Sequence, residues 1–276
     1  MLRHYKKAFT LIELITVISI IGLLSAIAVS SMKSSNDKAK LAASQSFEAS
    51  IGRVVGDQII GEWLFDEGSG TTARDTSGNG NDGTISGATW TSGINGNALS
   101  FINGSSQVAL GAGTALDPSV FTITAWVKPA DISGGYNYIY SNARDCCGSY
   151  SGINFYFAYN HLGGDIWNIA GGWPGGVKQL GSVAVIPNNS PWVFVVFSYD
   201  GSKMALYVNG HLDNTLTTNM AVGQPASYPS YIGRMGMTPL GINGAIDQVR
   251  LYSNAIIAAN IEKMYLAERD RYLAKK

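Results

Sequence analysis

The stretch Trp192-Val193-Phe194-Val195-Val196-Phe197-Ser198-Tyr199 is apolar at odd and even positions alike. A strand of that composition is covered on both faces, so it belongs in the middle of a layered β structure and not at its edge. Asp200-Gly201 follows as a turn, Met204-Ala205-Leu206-Tyr207-Val208 as a second strand, and Asn209-Gly210 turns the chain into His211-Leu212 and beyond. These two-residue turn pairs are the ones whose backbone twist matches antiparallel strands, so the segment predicts a meander.

Upstream, Phe121 to Lys128 alternates instead. Phe121, Ile123, Ala125 and Val127 make a core face, and Thr122, Thr124, Trp126 and Lys128 make a second face that reads as solvent-exposed. Short runs of this kind, separated by Gly, Asn, Ser and Thr turns, continue over most of the chain. All 8 prolines lie at Pro118 or later, and of 33 glycines only Gly22, Gly52 and Gly56 precede residue 60. The chain therefore divides into a helical amino-terminal part and a β-rich remainder with ample length for one sandwich domain. The tail from Ala258 to Lys276 mixes Ile261, Met264, Tyr265 and Leu266 with many charges and predicts an amphipathic helix, either docked on the polar half of the first helix or left in solvent.

From Phe9 to Met32 the only formal charge is Glu13. A charge-free run from Leu14 to Met32 is long enough to cross a bilayer core at about 1.5 Å rise per residue. Arg3, Lys6 and Lys7 hold the amino terminus in the cytoplasm and send the rest outward. A carboxylate in hydrocarbon is costly unless paired, so Glu13 is expected to seek a cation or to lie near enough to the headgroups to stay solvated. Lys6-Lys7-Ala8-Phe9-Thr10-Leu11-Ile12-Glu13-Leu14 resembles the leader and helix start of type IV pilins and secretion pseudopilins. The resemblance implies a prepilin peptidase cut between Ala8 and Phe9, methylation of the Phe9 amine, and an assembly role for Glu13 among other pilin subunits. The family has Gly before the cut where this chain has Ala8, which implies slower processing.

A second resemblance covers residues 61 to 266. It is carried by Gly61-Glu62-Trp63-Leu64-Phe65-Asp66-Glu67-Gly68-Ser69-Gly70, Asp75-Thr76-Ser77-Gly78-Asn79-Gly80-Asn81-Asp82-Gly83, Gly96 to Phe101, Phe121 to Lys128, Tyr199-Asp200-Gly201, Leu206 to Gly210 and Gly244-Ala245-Ile246-Asp247-Gln248-Val249-Arg250-Leu251-Tyr252. These pieces are similar to the laminin-G-like, concanavalin-A-like jelly roll. That family's members bind carbohydrates or proteins, often with a structural calcium ion. The expected order is a leader at 1–8, a membrane and assembly helix at 9–32, an amphipathic extension and linker at 33–60, the jelly roll at 61–256 and a helix at 257–276.

Several residues are candidates for chemistry. Asp75, Ser77 and Asn79 start like a calcium loop, but Ser86 replaces the closing Glu, which excludes an EF-hand. Asp247 falls by alternation on the face of Val249 and Leu251, where a carboxylate must be neutralised, so Asp247 with Asp75 and Asn79 is the expected calcium site; hydrogen bonding alone is the alternative. Aromatic residues crowd positions 133 to 176, and flat rings among glycines stack on sugars, which nominates Trp167 and Trp173 as ligand-binding residues. Trp63 and Trp192 are assigned to the core, and Trp126 fits either place. Cys146 and Cys147 are adjacent, cannot alone make a zinc site, and are either a vicinal disulfide or two thiols.

Lys+Arg and Asp+Glu both number 19, and removal of the leader leaves the chain slightly acidic without a basic patch, which argues against nucleic acid as a partner. Catalysis finds little footing. The carboxylates nearest to a glycosidase pair, Glu62 with Asp66 and Glu67, run into a turn, and His161 and His211 have no metal-ligand spacing. The expectation is a non-enzymatic, membrane-anchored filament subunit of the minor or tip-adhesin kind, with a carbohydrate or protein ligand. A major pilin, a pseudopilin and a membrane-tethered glycosidase remain as alternatives.

Overall fold

The computed structural model describes residues 11–27, 58–112, 114–146, 149–168, 176–224, 228–236 and 238–274. Helix α1 covers 11–27, and its large apolar side chains, among them Leu11, Ile12, Ile18 and Leu23, are exposed. No helix among the described residues is long and apolar enough to cross a membrane; the remainder of the expected span, Phe9 to Met32, lies outside them.

Two antiparallel sheets follow. The first runs β15 (His211–Thr217), β14 (Lys203–Val208), β13 (Val193–Tyr199), β7 (Phe121–Pro129), β17 (Gly244–Tyr252), β5 (Asn97–Phe101) and β4 (Thr89–Ser92), with β1 (Ile59–Trp63) also paired to β17. The second runs β12 (Val177–Val185), β11 (His161–Asn168), β10 (Ser149–Ala158), β8 (Tyr136–Ser141), β16 (Pro229–Ile232), β6 (Gln107–Ala112), β3 (Gly83–Ser86) and β2 (Thr72–Ala73), with β9 (Arg144–Cys146) on β10. The two-face apolar run becomes β13, buried at every position between β7 and β14, as its composition requires. Its Val195 and Phe197 join Phe121, Ile123, Ala125 and Val127 of β7 in the core between the sheets, together with Phe155, Phe157 and Ile166 from the second sheet. Trp63 is fully buried there and donates its indole N–H to Asn81 O at 2.9 Å.

The second face of β7 is not open to solvent. Helix α2 (Ala258–Ala274) lies across it, and Trp126, Phe194, Val196, Ala205, Tyr207 and Tyr252 pack there with Ile261 and Met264. Thr122 Oγ1 accepts from Ile256 N–H at 2.9 Å and donates to Asn254 O at 2.7 Å, so the face fixes the segment that leads into α2. The tail helix thus docks on the first sheet and is not left in solvent; the polar half of the first helix lies outside the described residues. Trp192, assigned to the core, sits half-buried at the border of this outer cluster.

Charge is neutralised beneath the helix. Arg250 bonds Glu62 at 2.7 Å and Glu268 at 2.6 Å, and Glu268 also accepts the Trp126 indole N–H. Burial opposes the charge on Arg250, but Glu268 and Glu62 together hold it protonated. This arrangement links β1, β17 and α2 through one guanidinium.

Candidate functional site

The second sheet also turns one face outward, and no helix among the described residues covers it. On β10 the core takes Ile153, Phe155 and Phe157, which leaves Asn154, Tyr156 and Ala158 outside; on β11 the core takes Leu162 and Ile166, which leaves Asp165 and Trp167. Gly163 and Gly164 at the centre of β11 each admit a ring. A Cβ on Gly163 would meet Tyr156 Cε2 at 2.3 Å, and one on Gly164 would meet the Phe197 ring at 2.7 Å, so one aromatic lies flat on each side of the strand.

Three tyrosines make a contiguous patch on this face. Tyr136 stacks on Tyr138 at 6.0 Å between centroids, and both meet Tyr156 edge-on, at 5.0 and 5.7 Å. Gln179 of β12 donates to Tyr156 Oη at 2.6 Å and fixes that ring. Tyr138, Tyr156 and Trp167 are buried with Ala143 and Met235, whereas Tyr136 is 38% exposed. The patch is anchored inside and open at one end.

Beside the rings runs a polar chain. Ser141 Oγ donates to Asn154 Oδ1 at 2.7 Å, and Asn154 Nδ2 donates to Asp165 Oδ1 at 2.8 Å. Burial pushes the Asp165 carboxyl up to about 7, against the opposing hydrogen bonds from Asn154, Trp167 and Tyr156. None of these partners is a cation. Asn154 is fully buried and Asp165 is 4% exposed, so this chain ties β8, β10 and β11 together beside the rings.

The model of the concanavalin A-like lectin/glucanases superfamily matches residues 102–262, more than half of the chain. The chain belongs to that superfamily. A second model, the prokaryotic N-terminal methylation motif, matches residues 3–29, the mark of a type IV pilin-like amino terminus processed by prepilin peptidase. A comparison with curated proteins returns no match. Among solved structures, the chain is similar to the binding domain of paraclostridial mosquitocidal protein 1, at 15% identity and TM-score 0.61 over 76% of this chain and 52% of that one. Domain 4 of AbnA, an extracellular GH43 arabinanase of Geobacillus stearothermophilus in complex with arabinotriose, matches at 19% identity and TM-score 0.54 over 75% of this chain and 98% of that one. Trypanosoma rangeli sialidase in complex with 2,3-difluorosialic acid matches at 15% identity and TM-score 0.57 over 75% of this chain and 32% of that one. The chain thus spans about half of the mosquitocidal binding-domain chain and a third of the sialidase, and these likenesses concern the fold.

Within this lectin-like fold the expected site residues scatter. Trp167 lies on the open face but is 7% exposed, packed as a support for the tyrosines more than as a free ring. Trp173, Cys147, Ala8 and Phe9 lie outside the described residues. Cys146 ends β9, and Glu13 lies in α1, its carbonyl accepting from Thr16 Oγ1 at 2.9 Å. Sequence reasoning missed Asp165, Asn154 and Gln179. The alternation Leu162, Gly164, Ile166 against Gly163, Asp165, Trp167 carries the signal that Asp165 shares a face with Trp167.

The three expected metal residues do not share partners. Asp75 accepts backbone N–H groups of Glu62, Ser77 and Asn81 at 2.9 Å each, while Asn79 Nδ2 donates to Ile59 O and Ile60 O at 2.8 and 3.1 Å; both serve to tie the 75–81 loop to β1. Asp247 is elsewhere and is not on the face of Val249 and Leu251. Gln248 has φ of 50° and the β17–β7 register slips between Asp247 and Arg250, so the bulge gives the core face to Ile246, Val249 and Leu251 and turns Asp247 outward. There Asp247 Oδ2 accepts Ile94 N–H at 2.8 Å and faces Asn95 N at 3.4 Å under the 93–96 turn. Its Oδ1 and both amide atoms of Asn95 are buried without a hydrogen-bond partner. Burial, with Asp66 nearby, pushes the Asp247 carboxyl up to about 8. Among the described residues no group of three or more His, Cys, Asp or Glu is arranged to hold a metal.

Proposed function

We propose that this chain is a minor or tip subunit of a type IV pilus-like filament, and that it presents a saccharide-binding jelly roll outside the cell. The observation that carries the reading is Tyr136, 38% exposed at the end of a buttressed tyrosine patch whose strands are tied together by the buried Ser141, Asn154 and Asp165 chain. An exposed aromatic ring on a rigid support is the chemistry of a sugar-stacking site, and a rigid patch loses little entropy on binding. The arabinotriose complex of the structurally similar arabinanase domain supports the ligand class. The methylation motif supports delivery: a cut between Ala8 and Phe9 and assembly through Glu13 bring the domain to a surface in repeated copies. We read the domain as a binder, with no catalytic role for Glu62, whose carboxylate is engaged by Arg250 and Thr76.

Calcium enters the proposal at Asp247 in place of the Asp75 loop. The orphaned oxygens of Asp247 and Asn95, next to Asp66, fit an oxygen-seeking cation, whereas Asp75 is saturated by backbone donors. Such an ion would hold the 93–96 turn against β17. Added calcium is expected to raise Tm by about 3 °C or more in the full-length protein and to have no effect on Asp247→Asn.

The function is tested by applying full-length protein in detergent micelles to a glycan array that includes arabinotriose and sialylated oligosaccharides. Binding abolished by Tyr136→Ala supports the proposal. An array without binding removes the saccharide reading and leaves a filament coat.

A further inference from the structure

Two residues, Tyr159 and Asn160, join β10 to β11, and both have positive φ, 52° and 64°. A tight hairpin turn of this kind suits Asn and Gly, because a Cβ with further substituents is crowded in the left-handed region. Six non-glycine residues among those described have positive φ. Asn160, Asn189 and Asn209 carry the short amide that tolerates it, and Phe65 and Gln248 are buried, so packing offsets their strain. Tyr159 differs from all five: it is 67% exposed and gains no comparable burial in return.

The turn beneath it is rigid. Asn160 N–H donates to Ile132 O at 3.0 Å, and Ile186 N–H donates to Asn160 O at 2.8 Å. Asn188 completes the lacing: its Oδ1 accepts Ile132 N–H at 2.8 Å and its Nδ2 donates to Asp131 Oδ1 at 2.8 Å. Two loops, at 131–132 and 186–188, thus hold the hairpin tip and each other. Ala158, the residue before Tyr159, pairs with Tyr136, so the strained residue stands at the end of the sheet where the tyrosine patch opens to solvent. Strain that packing does not offset is characteristic of residues whose position serves binding, and a large ring on a fixed backbone makes a low-entropy anchor.

We propose that Tyr159 is a second stacking residue at the rim of the open face, taking the sugar unit next to the one held at Tyr136. The inference rests on the saccharide reading of that face and adds to it a chain length: the ligand is at least a disaccharide, bound along the edge where β8, β10 and β11 end.

The test uses full-length protein in micelles, titrated with arabinotriose and with whichever array oligosaccharide binds the wild type. Tyr159→Gly relieves the backbone strain, so it is expected to melt at or above the wild-type temperature while binding weakens about tenfold. Tyr159→Phe keeps the ring and is expected to bind within about twofold of wild type. Unchanged binding by Tyr159→Gly would overturn the proposal, as would a clear fall in its Tm, which would make Tyr159 a packing residue. A wild type that binds no saccharide defeats the parent reading before any variant is compared, and the Tyr159 proposal falls with it.

Discussion

Both sheets face outward with aromatic rings, and the two faces have opposite fates. On the first sheet Trp126 stacks near Phe194 and Tyr265 at 5.3 and 5.8 Å, and α2 seals the cluster. On the second sheet Tyr136, Tyr138 and Tyr156 contact one another at similar distances with one end open. The buried acids show the same divergence. Glu268 lies against Arg250, an ion pair that belongs to the architecture, while Asp165 is surrounded by neutral donors and titrates near neutrality. Aromatic content alone does not distinguish a core from a binding surface; what lies over the rings, and whether a cation reaches the acid beside them, does.

The sharpest way to break the contrast is to unseal the first face. Arg250→Ala leaves Glu62 and Glu268 buried without their cation and is expected to cost about 3–5 kcal/mol in denaturant unfolding, with saccharide binding retained by the folded fraction. Next in size is Gly163→Ala. Its Cβ would press on the Tyr156 ring, part it from Gln179, and cost roughly 1–3 kcal/mol while flattening the open face. Retained binding by this variant would detach Tyr156 from the site.

Asp165→Asn probes the acid. The folded carboxyl titrates at about 7, above the unfolded value, so its contribution to stability is complete below the unfolded pKa and disappears as pH rises through about 7. Wild-type Tm should therefore fall between about pH 5 and pH 8, with Asp117 and Asp247, raised to about 6 and 8 by burial, adding in the same direction. The Asn variant should show a shallower slope and stand about 1–2 kcal/mol more stable than wild type at pH 8. An identical slope would mean that Asp165 is ionised in the folded protein. The smallest stability effect belongs to Tyr136→Ala, within about 0.5 kcal/mol, because the ring is already partly solvated.

Much of the frame can be read from residues alone. Phe121 to Val127 announces its strand by alternation, Trp192 to Tyr199 by an unbroken apolar run and Asn209-Gly210 its turn, because these signals are local. The fate of Trp126 is not local: its cover comes from Glu268, 142 residues away, so alternation identifies the face but not what lies on it. Asp247 defeats alternation altogether. Its bulge is made by Gln248, a residue with no preference for positive φ, and one extra residue exchanges the two faces of everything before it. At the candidate site a flat ring among glycines singles out Trp167, but Gly163 and Gly164 decide the geometry by giving their space to Tyr156 and Phe197.

One pairing described above bears on how the molecule is made. The last strand, β17, is the partner of β1, β5 and β7 at once, and Arg250 on it bonds the first strand. A chain that emerges amino terminus first, from a ribosome or through a membrane channel, therefore has the 75–81 loop to hold β1 but no strand partner for it until nearly all of the domain has appeared. The first sheet closes late, and the chain stays threadable until its final strand arrives.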